Sequence, residues 1–476
     1  NRSCSKYGSD LRRSYIMETL QRLHNRGSIS TGYDVGNSAA FDYSRSEYFH
    51  WTPSSDGNRR TWTYSAWIKR GRLGRNNYLW NHGTGDYNQY DRTLLKFNSD
   101  DALYFGGGSA YLLKTNGKFL DCNGWYHIVL ACDTTDSTAS NRLKLYINGV
   151  LEDDFLTDTA PDQNFDFAVN RAQKQTYFYN STDNSDPHDG NAAEVIMIDG
   201  QQLGPESFGE FNSDGVWVPI DVSGLTFGTN GIYMDFRAGG TDIGFDYSGN
   251  SNNLTGVQMG SQDQSEDSPT NSFCTLDYNS GYLQGTATGF TGGNLLRQGS
   301  GSSGNNGSAA IGTVGINPFG GGIWYFEVET NSTANGSSSD VGYGWAAQSI
   351  VNSSSHANND FYSDNSIRYA TQTAHSGGDI QSVLLTCGTT PTIKFYRNNG
   401  LVHTATHGSN WTARDEYYFP YVWVKGTSHE GIMNFGNDIQ EGAVSSPNTD
   451  PSGFGGFEFD TKSGYALCSK NIGEFT

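Results

Sequence analysis

A chain of 476 residues exceeds what one hydrophobic core fills, so two or more domains are expected. Gly occurs 60 times, aromatics make up 13% and charged residues only 17%, the balance of an all-β protein rich in turns. A formal charge of −20 excludes a phosphate-binding surface and hence a nucleic-acid partner, and no run approaches the ~18 apolar residues that membrane insertion by a helix requires.

In chain order, residues 1–32 come first. The stretch SDLRRSYIMETLQRLHNRG has Ser9 as cap, Gly27 as stop, and Leu11, Tyr15, Ile16, Leu20 and Leu23 along one stripe. A lone helix of this length is marginal in water, so the stripe is expected to anchor the chain against a partner. Residues 33–220 then switch to short strands and polar turns. TWTYSAWIKRG alternates Trp62, Tyr64, Ala66 and Ile68 against Thr63, Ser65, Trp67 and Lys69. GWYHIVLAC and AAEVIMIDG supply further strands. Residues 221–280, with almost no large apolar side chains over 249–272, read as a connector. A second strand series fills 281–476: GIWYFEVE, VGYGWA, DIQSVLLTC, IKFYRNNG, YYFPYVWV and GIMNFG. Trp62, Trp125, Trp324 and Trp345 sit in strand patterns and are expected in cores. The six cysteines are scattered without a C-x-x-C, which argues against a disulfide framework or a zinc site.

One strand and turn is written twice. RLKLYINGV, around Tyr146, and TIKFYRNNG, around Tyr396, share an apolar–Lys–apolar–Tyr–x–Asn pattern that reaches a Gly. Each predicts a hairpin, with Leu143, Leu145 and Ile147 facing inward in the first, and Ile393 and Phe395 in the second.

TWTYSAWIKRG, GWYHIVLACD, LKLYINGVLED and NAAEVIMIDGQQLGPESFGEF resemble, in that order, a laminin-G-like, concanavalin-A-like jelly roll. GIWYFEVE, VGYGWA, IKFYRNNG and YYFPYVWV…GIMNFG resemble a SPRY domain. The joint DYSGNSNNLTG…EDSPTNSFCTLD and the tail GYALCSKN are similar to those of bacteriophage proteins that pair the two domains. The resemblance spans about residues 35–476. It implies an all-β chain of two antiparallel β-sandwiches in tandem, preceded by a short helix. It also implies a virion structural protein (fibre, spike or capsid decoration) on the virion surface. Its expected partners are other virion proteins, further copies of itself and host surface polysaccharide. A free secreted lectin of a cellular organism is the alternative, and a glycan hydrolase the third reading.

The enzyme reading lacks its acids. A retaining glycosidase needs two carboxylates about 5 Å apart, and the glucanases of this fold place them as E-x-D-x-x-E on one strand. No such segment occurs, G-x-S-x-G and H-E-x-x-H are absent, and the EVET strand offers only Glu327 and Glu329. No catalytic residue is therefore expected. Laminin-G-like domains hold Ca²⁺ in acidic loops, and two loops have oxygen ligands of the kind this ion prefers. One carries Asp133 and Asp136, the other Asp183, Asp186 and Asp189; the competing reading is that these acids only close their turns. Glycan binding calls for exposed rings that stack on a sugar beside amide and carboxylate groups. The candidates are Asp86, Tyr87, Asn88, Tyr90 and Asp91 in one loop, Tyr177 and Tyr179 in another, and Trp411 in a polar turn of the second domain.

Overall fold

The computed structural model describes residues 32–83, 92–107, 110–182, 185–237, 243–278, 290–298, 308–332, 341–351, 366–368, 377–409, 412–424, 429–437 and 447–475. The expected anchoring helix with Leu11, Tyr15, Ile16, Leu20 and Leu23 lies outside the described residues.

The first sandwich is built from β1 (Ser38–Phe41), β2 (Tyr48–Trp51), β3 (Thr61–Arg70), β4 (Asn77–His82), β5 (Thr93–Phe97), β6 (Ala102–Gly107), β7 (Ala110–Lys118), β8 (Trp125–Asp133) and β9 (Leu143–Ile147). It continues with β10 (Val150–Leu151), β11 (Phe155–Asp158), β12 (Thr176–Phe178), β13 (Gly190–Asp199), β14 (Gly209–Phe211), β15 (Trp217–Pro219), β16 (Ile232–Met234), β17 (Thr255–Val257) and β18 (Gln264–Ser265). Sheet 1 runs β10-β9-β8-β3-β13-β1-β18, with β16 also paired to β13; sheet 2 runs β11-β7-β6-β5-β4-β12-β2-β17. Both are antiparallel, and the alternation in β3 shows how they face each other. Trp62, Tyr64, Ala66 and Ile68 enter the core between the sheets with Trp80, Leu95, Phe97, Phe105 and Phe178.

The opposite face of sheet 1 is covered too. Phe208, Val222, Phe227 and Tyr233 fold back onto Val129, Ile196 and Ile198 as a second apolar layer, so all ten residues of β13 are buried. A bulge in β13, between Ala193 and Ile196, puts Glu194 in a left-handed conformation at φ 48°. Its buried carboxylate accepts hydrogen bonds from the Tyr233 hydroxyl at 2.9 Å and the Tyr33 hydroxyl at 3.3 Å.

The second sandwich contains β19 (Phe290–Thr291), β20 (Leu296–Gln298), β21 (Ser308–Ile311), β22 (Ile323–Ser332), β23 (Val341–Ala347), β24 (Ser366–Arg368), β25 (Asp379–Thr386), β26 (Thr392–Arg397), β27 (Gly400–Thr406), β28 (Tyr418–Val424) and β29 (His429–Asn434). Its sheets run β19-β20-β29-β22-β25-β26-β27 and β21-β28-β23-β24. Trp324, Phe326, Trp345, Ile393 and Phe395 share one buried core. Trp125, expected in a core, is only half-buried on the outer side of sheet 1, where its indole donates to Asp267 at 3.3 Å.

The repeated strand-and-turn forms two hairpins. Asn148 and Gly149 have φ 47° and 80°, and Asn398 and Asn399 have φ 43° and 70°, the left-handed pair that a two-residue turn with right-twisted arms needs. In the second copy the turn falls on Asn398–Asn399, and Gly400 opens the return strand by pairing with Arg397.

The stretch 221–280, expected as a connector, departs most from its reading. It adds β16 and β18 to sheet 1 and β17 to sheet 2. It sends Ile232, Met234, Phe236, Ile243 and Leu254 into the core between the sheets, and Asp246 orders its turns by accepting from the backbone N–H groups of Tyr233, Ser248 and Asn252. The Asp267–Phe273 joint is buried throughout, and the Lys69 ammonium reaches Asp267 at 2.7 Å and the Phe273 carbonyl at 3.0 Å. The chain's end packs over this joint. Cys274 N donates to Leu467 O, and Ser272 and Ser469 exchange two bonds. A short helix, Ser469–Phe475, which the sequence pattern did not announce, then lays Phe475 against Trp324.

Among the described residues Cys122, Cys132, Cys274, Cys387 and Cys468 are free thiols, and no helix is long and apolar enough to cross a membrane.

Candidate functional site: the outer face of sheet 2

The outer face of sheet 2 collects aromatic and polar side chains in cross-strand rows. In one row Leu94 stands opposite Asn81, Asn81 opposite Tyr177, Tyr177 opposite His50, and His50 opposite Thr255. In a second row Tyr104 faces Lys96, which faces Tyr78. Side chains alternate along a strand, and on β4 an irregularity between Tyr78 and Trp80 shifts the phase so that Tyr78 and Asn81 both stand on the side turned away from the core.

At one end three half-buried rings form a cluster. Tyr48 lies 5.8 Å from Tyr177 and 6.0 Å from His50, and His50 lies 6.4 Å from Tyr177, each pair tilted. Gln175 fixes it: the Tyr177 hydroxyl donates to Gln175 Oε1 at 2.7 Å, and Gln175 Nε2 sits 2.6 Å from His50 Nδ1. With Nδ1 accepting, the ring proton belongs on Nε2. Burial lowers the His50 pKa, which keeps the ring neutral at neutral pH. Burial raises that of Tyr177, with Tyr48 adding to it. Neutral, ordered rings beside an amide suit stacking and hydrogen bonding to a polyhydroxylated ligand.

Cations border the cluster. Arg92 donates from Nε to Asn81 Oδ1 at 3.1 Å, and Asn81 Nδ2 is buried without a partner. Lys96 donates to Asn76 Oδ1 at 3.1 Å. Burial lowers the Lys96 pKa; Asp186 opposes this and Arg92 reinforces it.

Of the residues picked from sequence, Tyr177 stands on this face. Tyr179 does not. Alternation would place it beside Tyr177, but its left-handed backbone (φ 71°) breaks the alternation and turns the ring into the core, 4.5 Å from Phe41 and fully buried. Asp86, Tyr87, Asn88, Tyr90 and Asp91 lie outside the described residues, as do Trp411 and Asp183. Tyr48 and His50 were missed: YFHW shows the strand, but nothing local says that β2 lies beside β12.

The calcium candidates are drawn into other roles. Asp133 Oδ1 accepts from Thr135 N at 3.0 Å, and Asp136 Oδ1 accepts from Thr138 N at 2.6 Å; both close turns through their own backbone. Asp186 accepts from Asn76 Nδ2 at 3.3 Å. Asp189 is fully buried and accepts from Gly293 N of the second sandwich at 2.9 Å. Burial, with nearby Asp42, pushes its pKa up to about 8, which suits a neutral acid at a domain contact better than a cation ligand. No group of three or more ligating side chains able to hold a metal occurs among the described residues.

Glu327 is equally committed. Its carboxylate accepts from the backbone of Glu458 and Phe459, each at 2.9 Å, from the Tyr325 hydroxyl at 2.8 Å and from Asn434 Nδ2 at 3.2 Å. The two backbone donors pin the C-terminal tail to β22, while Tyr325 and Asn434 satisfy the carboxylate from β22 itself and from β29.

No curated protein matches the chain. Among solved structures it is similar to a protein of Bacteroides ovatus described as a carbohydrate binding protein (18% identity, TM-score 0.34), with 47% of this chain covered and 58% of that protein's length. It is also similar to domains LG4-5 of the mouse laminin alpha1 chain (11%, TM-score 0.26, 83% and 84% covered). A third similarity is to the SPRY domain of human HERC1 (12%, TM-score 0.22, 31% and 90%). Residues 44–195 match the profile of the concanavalin A-like lectin/glucanases superfamily, so the sandwich that carries the Tyr48–His50–Tyr177 face contains a concanavalin-A-like, laminin-G-type domain.

Proposed function

We propose that the protein is a lectin-like adhesion module that binds host surface glycans on the outer face of sheet 2, and that it is displayed on a bacteriophage virion as part of a fibre, spike or capsid decoration. The observation that carries the binding reading is the Tyr48–His50–Tyr177 cluster with Gln175 locked between its rings. Sugars stack on such rings, and the amide and imidazole N–H orient their hydroxyls. The superfamily match over 44–195 supports a lectin-like module. The virion setting rests on the resemblance of the joint and tail to those of bacteriophage proteins. No catalytic residue enters this reading, since Glu327 is saturated by structural donors.

The test is polysaccharide binding by the full chain and by Tyr177→Ala. The variant removes a half-buried outer ring, so it should melt within a few degrees of the parent while losing about tenfold or more in glycan affinity. Unchanged affinity in a folded variant would remove this face from the reading. For the virion, antibody against the chain should decorate intact particles in electron micrographs; labelling of host cells alone would favour a free lectin.

A further inference from the structure

Among the described residues, two cations on this face form no ion pair. Arg92, just before β5, and Lys96, within it, stand four residues apart and close on one ring. The Arg92 guanidinium carbon lies 5.9 Å from the centroid of Tyr78 and the Lys96 ammonium 5.1 Å from it, so the charges lie within about 11 Å of each other. Their hydrogen-bond acceptors among the described residues are neutral: the Asn81 amide and Tyr78 hydroxyl for Arg92, at 3.1 and 3.4 Å, and the Asn76 amide for Lys96. Two strands further out, on β7, Lys114 is met by Asp100 at 2.6 Å. Asp186, whose charge favours the Lys96 ammonium, makes its hydrogen bond with Asn76 and no ion pair with Lys96.

Shortage of acids does not explain this, for the chain carries 50 acidic residues against 30 basic. Two like charges close to the Debye length of about 8 Å, both partly withdrawn from water, repel each other. The tyrosine rings offset that only in part. An anion laid between them relieves the repulsion and gains charge-assisted hydrogen bonds.

We propose that Arg92 and Lys96 read a negative charge on the ligand, so that the glycan taken by this face bears carboxylate or sulfate groups. The inference rests on the glycan-binding reading and narrows it. The Tyr48–His50–Tyr177 cluster stacks the sugar, and the two cations select its acidic substituent.

The experiment uses the full chain at low salt with four polymers: polygalacturonate, the same polymer with its carboxyl groups reduced, dextran sulfate and dextran. Binding is measured for the parent, Arg92→Gln, Lys96→Gln and Tyr177→Ala, with thermal melts confirming that each is folded. The expected result is binding of polygalacturonate or dextran sulfate about tenfold tighter than of its uncharged counterpart. Arg92→Gln and Lys96→Gln should each erase most of that preference and leave neutral binding intact, whereas Tyr177→Ala weakens charged and neutral polymers together. Preference for polygalacturonate assigns a carboxylate, preference for dextran sulfate a sulfate ester. Equal binding of charged and neutral polymers by the parent, or a preference that survives both glutamine variants, overturns the inference and leaves glycan binding standing. Failure to bind any of the four, together with a broader neutral panel, removes the glycan reading itself.

Discussion

Glu194 shows how much a single side chain can be asked to bear. It sits at a left-handed bulge, fully inside the protein, and its two hydroxyl donors come from Tyr33 and Tyr233. Burial is the main cause that pushes its pKa up, to about 8, and Asp235 adds to this while Arg237 opposes it. The neutral acid is thus the form the fold prefers, and the unfolded chain, with its carboxylate near 4.5, gives up its proton first. Stability from this group is complete below about pH 4.5 and is lost as pH rises towards 8. Glu47, also buried, is displaced in the same sense, to about 8. Glu194→Gln keeps an acceptor for the hydroxyls without the charge. It should raise the melting temperature at pH 8 and flatten its fall between pH 5 and 8; an unaltered slope would mean that this carboxyl does not titrate in that window. None of this was visible in AAEVIMIDG, where Glu194 is one polar letter in an apolar run. Tyr177 and Tyr179 make the same point: the sequence marks both as candidates, and a single backbone angle decides which one faces solvent.

Elements were more legible than sites because their signals are local. The alternation of Trp62 through Lys69 gave β3 its inner face, and the Asn148–Gly149 and Asn398–Asn399 hairpins follow from residues that accept positive φ. The covering layer on sheet 1 was not readable, since Phe208, Val222 and Phe227 are dispersed and meet only after folding. The supposed connector misled for a physical reason: its turns are held by backbone N–H groups bonded to the buried Asp246, which in sequence looks like one more acid of a solvated loop. The first hairpin also carries a contact that its own residues do not announce. A Cβ on Gly149 would come within 2.2 Å of the Trp217 ring, and Trp217 donates its indole N–H to the buried His127 at 2.9 Å. Gly149→Ala therefore strains a left-handed residue and displaces that tryptophan. It should cost about 1–3 kcal/mol, read by urea denaturation and by a shift in tryptophan fluorescence; a loss of only a few tenths would show that the ring has room to move.

In the whole molecule the two sandwiches meet through charge and tail rather than through a wide apolar seam. Lys69 and Asp267 are 2% and 0% exposed, a buried pair at the joint, while Lys470 near the chain's end reaches Asp34 at 3.1 Å near the start of the first sandwich. Removing residues 466–476 strips Leu467, Ser469 and Asn471 from the joint and Phe475 from Trp324. Calorimetry should then show the parent's transition shift down and divide into two, one per sandwich; a single transition at the parent's temperature would mean the tail is dispensable.

That strap also closes a long way round the chain: Ser469 meets Ser272 across 197 residues. Closing so long a loop costs more chain entropy than any hairpin inside either sandwich, so the strap docks after the strands it covers have paired. Until it docks, the Cys274 backbone N–H and the Trp324 ring stand without the Leu467 carbonyl and the Phe475 ring that cover them, and the mutual orientation of the two halves is not yet fixed.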